Sequence, residues 1–160
     1  MRELPILCNT QVVQNILAGS QTQDRRPIKP QPPKEVKYLQ KVAKEFIEAY
    51  PNGALNHGYR VTPKYQPGDL LYVKETFYHI EQELEYVDVG CGASVPVAEL
   101  CAEKIIYRAD EPELLLKWKP SIHMPKWAAR IWLEVTKVRV ERIQDIIDWV
   151  FVYDFERIQK

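Results

Sequence analysis

The residues best equipped for chemistry in this sequence are a pair of arginines and a run of aromatics set among cations. Residues 19–33 read GSQTQDRRPIKPQPP. A guanidinium grips phosphate or carboxylate through two parallel N–H bonds, so Arg25 and Arg26, followed at once by Pro27, form a candidate anion site. The bland alternative is that both face solvent, or pair with Asp24 or a distant glutamate. The second stretch, WKPSIHMPKWAARIW, covers residues 118–132. Trp118, His123, Trp127 and Trp132 interleave there with Lys119, Lys126 and Arg130, just after Lys117. Ring faces that stack on bases beside cations that track phosphates are the chemistry of single-stranded nucleic-acid binding. Aromatics are equally good core material, and two of the three tryptophans are expected to be core.

Other chemistries lack their residues. His57, His79 and His123 stand too far apart for metal-ligand spacing, so no metal site is expected. Cys8, Cys91 and Cys101 form no C-x-x-C pair, and Cys8 in LPILC reads as a small buried hydrophobe. No P-loop, G-x-G-x-x-G or G-x-S-x-G occurs, so no nucleotide cofactor or serine triad is indicated. Lys+Arg and Asp+Glu are both 22 in 160 residues, which argues against a chain coated in positive charge for duplex binding. Without a signal peptide or an apolar run of about 18 residues, the expectation is one soluble domain in a reducing, cytoplasmic compartment, with no membrane partner.

The elements that must position these groups read as follows. Residues 4–8 suggest a short strand. Asn9 or Thr10 caps a helix through Ala18, with Gly19 just past its end. Prolines 27, 30, 32 and 33 exclude helix from the arginine loop and favour extended backbone. Apolar positions 36, 39, 42, 43, 46, 47 and 50 predict a second helix over 36–50, with Lys34, Lys37, Lys41 and Lys44 toward its polar, solvated side. From residue 61 the pattern turns to strand: a turn at Pro67-Gly68-Asp69, LLYVKETFY after it, KIIYRAD, and a closing WVFVYDFERI apolar on both faces. A short helix is expected around VAELCAEK. In RIWLEVTKVRVERI the apolar phase shifts from odd to even positions near Thr136-Lys137, which requires a bulge or bend. Helices early and strands late give an α+β class with an antiparallel, barrel-like sheet.

In this order, ILAGSQTQDRRPIKPQPP, YQPGDLLYVKETF, IIYRAD, WKPSIHMPKWAARIWLEVTKVRVERIQDI and WVFVYDFERI resemble the ASCH domain family, nearest to its phage- and prophage-borne subgroup. The G-x-x-L-x-V-x-E and S-I-H-M-P-x-W-A-x-R-I stretches carry most of that resemblance. It implies a single small PUA-like β-barrel with flanking helices over residues 1–160, with subgroup insertions at about 34–60 and 78–104. It also implies a site at the family's G-x-K-x-x-x-x-R loop, which binds RNA or a nucleotide-like ligand. Gly19 and Arg26 match the ends of that motif, but Gln21 stands at its lysine.

One branch of the family hydrolyses acetylated cytidine with that lysine, a threonine three residues on, and a glutamate on a later helix. The first two positions here are Gln21 and Asp24, and only Ile147 and Asp148 separate QDI from WVFV where relatives carry the helix. A neutral amide cannot supply a lysine's charge, so the resemblance implies binding rather than catalysis. The expected binding residues are Gln21, Arg25, Arg26, Lys74, Glu75, Tyr107, His123 and Trp127. Glu75 either accepts from a base amine or holds Arg26 in place. Two alternatives remain open: a hydrolase of a modified nucleoside or RNA using Asp24 and Glu75 as its acids, and a phage-encoded protein-interaction module. The shortened connection before the last strand predicts a tight hairpin.

Overall fold

A computed structural model describes residues 1–50, 52–80, 86–88, 94–96, 105–143 and 148–159, with backbone alone at 57, 86–88 and 94–96. The chain divides into two compact units. Unit 1 is Met1–Leu4, Thr22–Leu70 and Leu133–Ile158; unit 2 is Pro5–Gln21, Leu71–Trp132 and Gln159–Lys160. The described residues are mostly strand, with one α-helix, and they form four sheets of which none closes into a barrel. The largest runs in the order β1-β6-β11-β12-β2, where β1 is Glu3–Leu7, β2 Gln23–Pro27, β6 Leu70–Lys74, β11 Trp132–Ile143 and β12 Asp148–Ile158.

Unit 2 contains the helix, α1, Thr10–Leu17. Asn9 caps it as expected: its side-chain oxygen accepts from Val12 N–H at 2.8 Å, which satisfies one of the donors a helix start leaves open. Val13 and Ile16 face inward, and Gly19 takes the left-handed turn (φ 73°) that lets the chain leave. LLYVKETFY breaks into two strands, β6 and β7 (Phe77–His79), and β7 pairs antiparallel with β10 (Ile105–Tyr107). A further antiparallel strand pair is β8 (Tyr86–Asp88) with β9 (Ser94–Pro96). The helix expected around VAELCAEK, together with Cys91 and Cys101, lies outside the described residues.

Unit 1 corrects two expectations. The stretch 36–50 is not a helix but two strands, β3 (Leu39–Val42) and β4 (Glu45–Ala49), in a sheet ordered β3-β4-β5 with β5 Leu55–Val61. The register Val42↔Glu45 leaves Ala43 and Lys44 as a two-residue turn, and Ala43 adopts φ 54° to close it. Phe46, Ile47 and Ala49 are all buried and the register shifts between Ile47 and Ala49, so β4 lacks strict alternation and its pattern reads as helical. The arginine loop is likewise a strand: β2 pairs antiparallel with β12 in the register Phe151↔Arg26 and Val152↔Arg25. Its backbone is extended as the prolines demand, but it is bonded to a sheet edge rather than free.

The long strands behave as their sequence indicates. In β11, Val135 and Val138 are buried and Thr136 and Lys137 between them are both exposed, which is the expected phase reversal. Five consecutive residues of β12, Trp149–Tyr153, are buried, as expected of a strand covered on both faces. Phe46 of β4 lies 5.9 Å from Phe151 of β12, and Tyr65 stands edge-on to Tyr153 at 5.1 Å, giving unit 1 an aromatic core. β11 and β12 are sheet neighbours, while their connecting residues 144–147 lie outside the described residues.

Candidate functional site

Strand parity decides where the acid of unit 2 points. Leu71, Val73 and Glu75 share one face and are each at most 1% exposed, while Tyr72 and Lys74 lie on the other. A carboxylate in phase with core residues needs a cation, because an unpaired buried charge costs several kcal/mol. Arg130 supplies it. Its Nε donates to Glu75 Oε1 and its Nη2 to Glu75 Oε2, both at 3.0 Å. On the other edge Nη1 donates to Asp110 Oδ2 at 2.5 Å and Nη2 to Oδ1 at 3.0 Å. The guanidinium lies 3.9 Å from the Tyr107 ring centroid, and the Tyr107 hydroxyl donates to the Ala128 carbonyl at 2.7 Å.

Two acids share one guanidinium. Burial pushes the Glu75 carboxyl above the ordinary carboxylate range; the hydrogen bonds and charge of Arg130 oppose that rise, and Asp110 adds to it. For Arg130, burial works to lower the pKa, but hydrogen bonds to Glu75 and Asp110 outweigh it and keep the guanidinium charged.

This clamp ends the segment 118–130 and fixes its course. Pro120 and Pro125 each open a 3-10 turn, Ser121–His123 and Lys126–Ala128. Met124 and Ala128 turn inward to pack with Phe77, Ile105 and Tyr107. The Glu75 N–H also donates to Met124 Sδ at 3.1 Å. With those anchors inside, Ile122, His123, Lys126 and Trp127 are left outside, and Trp127 is 70% exposed. The His79 ring stands edge-on to Trp127 at 5.8 Å. Lys74 Nζ donates to the Ile122 carbonyl at 2.6 Å, and Lys126 Nζ sits 5.8 and 5.9 Å from the Tyr72 and Trp132 rings. Of the three tryptophans Trp132 is buried in the core, and Trp118 is half-buried against Ile106.

Unit 2 thus carries Gln21, Lys74, Glu75, Tyr107, His123 and Trp127, and unit 1 carries Arg25 and Arg26. Glu75 holds Arg130, not Arg26. Tyr107 offers no free face for a base, since Arg130 covers it. Arg26 Nε donates to Asp24 Oδ2 at 2.6 Å, and Arg25 lies 3.8 Å from Glu141 Oε2. The Gln21 backbone N–H donates to the Asn15 carbonyl behind α1. Sequence reasoning placed Arg130 only among the cations of the aromatic stretch, and missed both its pairing with Glu75 and the part of Asp110. The phase of Glu75 with Leu71 and Val73 was the available signal that a buried cation partner had to exist. Cys8 is buried, and no group of His, Cys, Asp or Glu among the described residues is placed to hold a metal ion. Among the described residues no helix is long and apolar enough to cross a membrane.

No protein-family model, curated protein or solved structure matches the chain.

Proposed function

We propose that this chain is a binding protein of ASCH type, with a PUA-like barrel as its fold, that takes single-stranded RNA or a nucleotide-like ligand. The observation that carries the functional reading is Trp127, 70% exposed on a turn pinned from beneath by Met124, Ala128 and Arg130, with His79 at its edge and Lys126 beside it. An exposed indole on an anchored turn, with a lysine as its chain neighbour, is suited to base stacking. The phase reversal in β11, where barrel strands bend, supports the fold part. In unit 1, and taken by itself, Arg25 has its side chain 57% exposed and 3.8 Å from Glu141, so it can exchange that acid for a phosphate. Glu75 is 1% exposed with both oxygens bonded to Arg130, so it presents no open catalytic oxygen, and Asp24 Oδ2 is bonded to Arg26.

The test is fluorescence anisotropy of a labelled single-stranded RNA across salt concentrations. Micromolar binding that weakens with salt is expected, and Trp127→Ala should weaken it by about 1–3 kcal/mol. Absence of salt-dependent binding in the micromolar range overturns the reading. In that case the exposed pair Ile122 and Trp127 favours the protein-interaction alternative.

A further inference from the structure

Unit 1 has a recess of about 370 Å³, lined by Gln31, Pro32, Pro33, Lys34, Val36, Arg142, Asp148 and Trp149, which no part of the RNA reading uses. Its walls are fixed. The Gln31 side-chain amide donates to the Ile28 carbonyl at 2.8 Å and to the Trp149 carbonyl at 3.0 Å, and its oxygen accepts from Trp149 N–H at 2.8 Å. Val36 N–H closes a turn onto the Pro33 carbonyl at 3.0 Å, and Pro32 and Val36 are buried. The apolar lining is therefore two prolines, a valine and the edge of an indole, none free to collapse inward.

The charges around it do not cancel. The Arg142 guanidinium stands 5.9 Å from the Trp149 ring centroid. Neither Arg142 nor Lys34 has a carboxylate partner among the described residues, whereas Arg2, Arg25, Arg26, Arg130 and Arg139 all do. A second recess in unit 1, about 550 Å³ and lined by Arg2, Lys44 and Asp69, has its arginine already committed to Asp69.

We propose that the Trp149 recess binds a nucleotide through a terminal phosphate monoester. A monoester carries about −1.5 to −2 charges near neutrality, which two unpaired cations match better than they match a single carboxylate. The Pro–Val–Trp wall accepts a flat ring, and Asp148 accepts from a hydroxyl or amine of the sugar or base. The volume, at the low end of the roughly 300–1,000 Å³ usual for ligand pockets, suits one nucleotide rather than a strand. The source is either a free mononucleotide or the phosphorylated end of a nucleic acid.

Isothermal titration of the full chain with adenosine 5′-monophosphate, adenosine and inorganic phosphate tests this. The monophosphate should bind at least about tenfold more tightly than either fragment, and Arg142→Gln and Lys34→Gln should each weaken it several-fold with the circular dichroism unchanged. Trp127→Ala should leave it untouched, so this site and the RNA face can fail separately. A 5′-phosphorylated trinucleotide binding as well as the monophosphate, and better than its 5′-hydroxyl form, identifies the strand end as the source. A monophosphate that binds better than either trinucleotide identifies the free nucleotide. No binding at millimolar monophosphate, or an affinity unchanged in both charge variants, overturns the proposal.

Discussion

At the scale of single residues, most is at stake in Arg130, which neutralises a glutamate that the strand directs into the core. Replacing Arg130 with Met keeps much of the side chain's bulk but leaves Glu75 buried without its cation and Asp110 still nearby. The expected loss is about 3–5 kcal/mol of unfolding free energy at neutral pH, read from urea denaturation. The sign of its pH dependence follows from the raised Glu75 pKa. An acid whose folded pKa exceeds its unfolded value takes up a proton on folding, so its contribution falls as pH rises through that window. Without Arg130 the rise is larger. The deficit of Arg130→Met should therefore shrink as the pH is lowered from 7 toward 5, and a loss below about 1 kcal/mol, or one independent of pH, contradicts the clamp. Asp110 is more exposed and is a like charge to Glu75, so Asp110→Asn should stay within about 1 kcal/mol of the parent. The burial of Glu75 was legible in the sequence, because it alternates in phase with Leu71 and Val73. Its partner was not: Arg130 is 55 positions away, and strand parity says nothing about which arginine crosses that distance.

At the scale of elements, the contrast between α1 and the stretch 36–50 shows what local sequence can decide. For α1 every signal agrees: a capping Asn9, an apolar face at Val13 and Ile16, and Gly19 to end it. Asn9→Ala should accordingly cost about 1 kcal/mol by removing the acceptor for Val12 N–H. Residues 36–50 have good helix formers and a helical stripe, yet they fold as a hairpin, because β5 offers β4 an antiparallel partner that outweighs local preference. Ala43 at φ 54° bears the strain of that choice, since a Cβ in the left-handed region costs about 1–2 kcal/mol. Ala43→Gly should therefore raise the urea midpoint by roughly 1 kcal/mol of stability, whereas in a helix it would lower it by a similar amount. The sign of this one substitution separates the hairpin from the helix that the pattern suggested. The arginine stretch was legible in part. Its prolines announce extended backbone, but that β12 bonds to it is a fact of topology, which composition does not contain.

At the scale of the whole molecule, cations and carboxylates are equal in number, so net repulsion is small near neutral pH, and particular buried groups shape how stability falls away on either side. The acid limb involves Asp69. Burial acts to raise its carboxyl, but the hydrogen bonds from Arg2 and from Gln66 N–H, with the Arg2 charge, hold it below the usual range. A depressed carboxylate stabilises the fold above its unfolded pKa of about 3.9, and that contribution disappears as the pH falls through the folded value. The alkaline limb involves Tyr153. Burial raises its phenol, helped by Tyr65 and Asp24 and opposed by backbone hydrogen bonds from Lys64 and Tyr65, to about 12. An unfolded tyrosine ionises near 10, so between about 10 and 12 the unfolded chain gives up a proton that the folded chain keeps, and stability falls as pH rises. Denaturant unfolding followed against pH should give a plateau that declines below about 4 and above about 10. Absorbance at 295 nm should show one tyrosine ionising last, at about 12 or together with unfolding. Substituting Tyr153 with Phe keeps the ring against Tyr65 and Phe151 and removes the ionisable oxygen, so the alkaline decline should flatten while the acid limb is unchanged. If the alkaline limb is the same in Tyr153→Phe, the buried phenol does not set it.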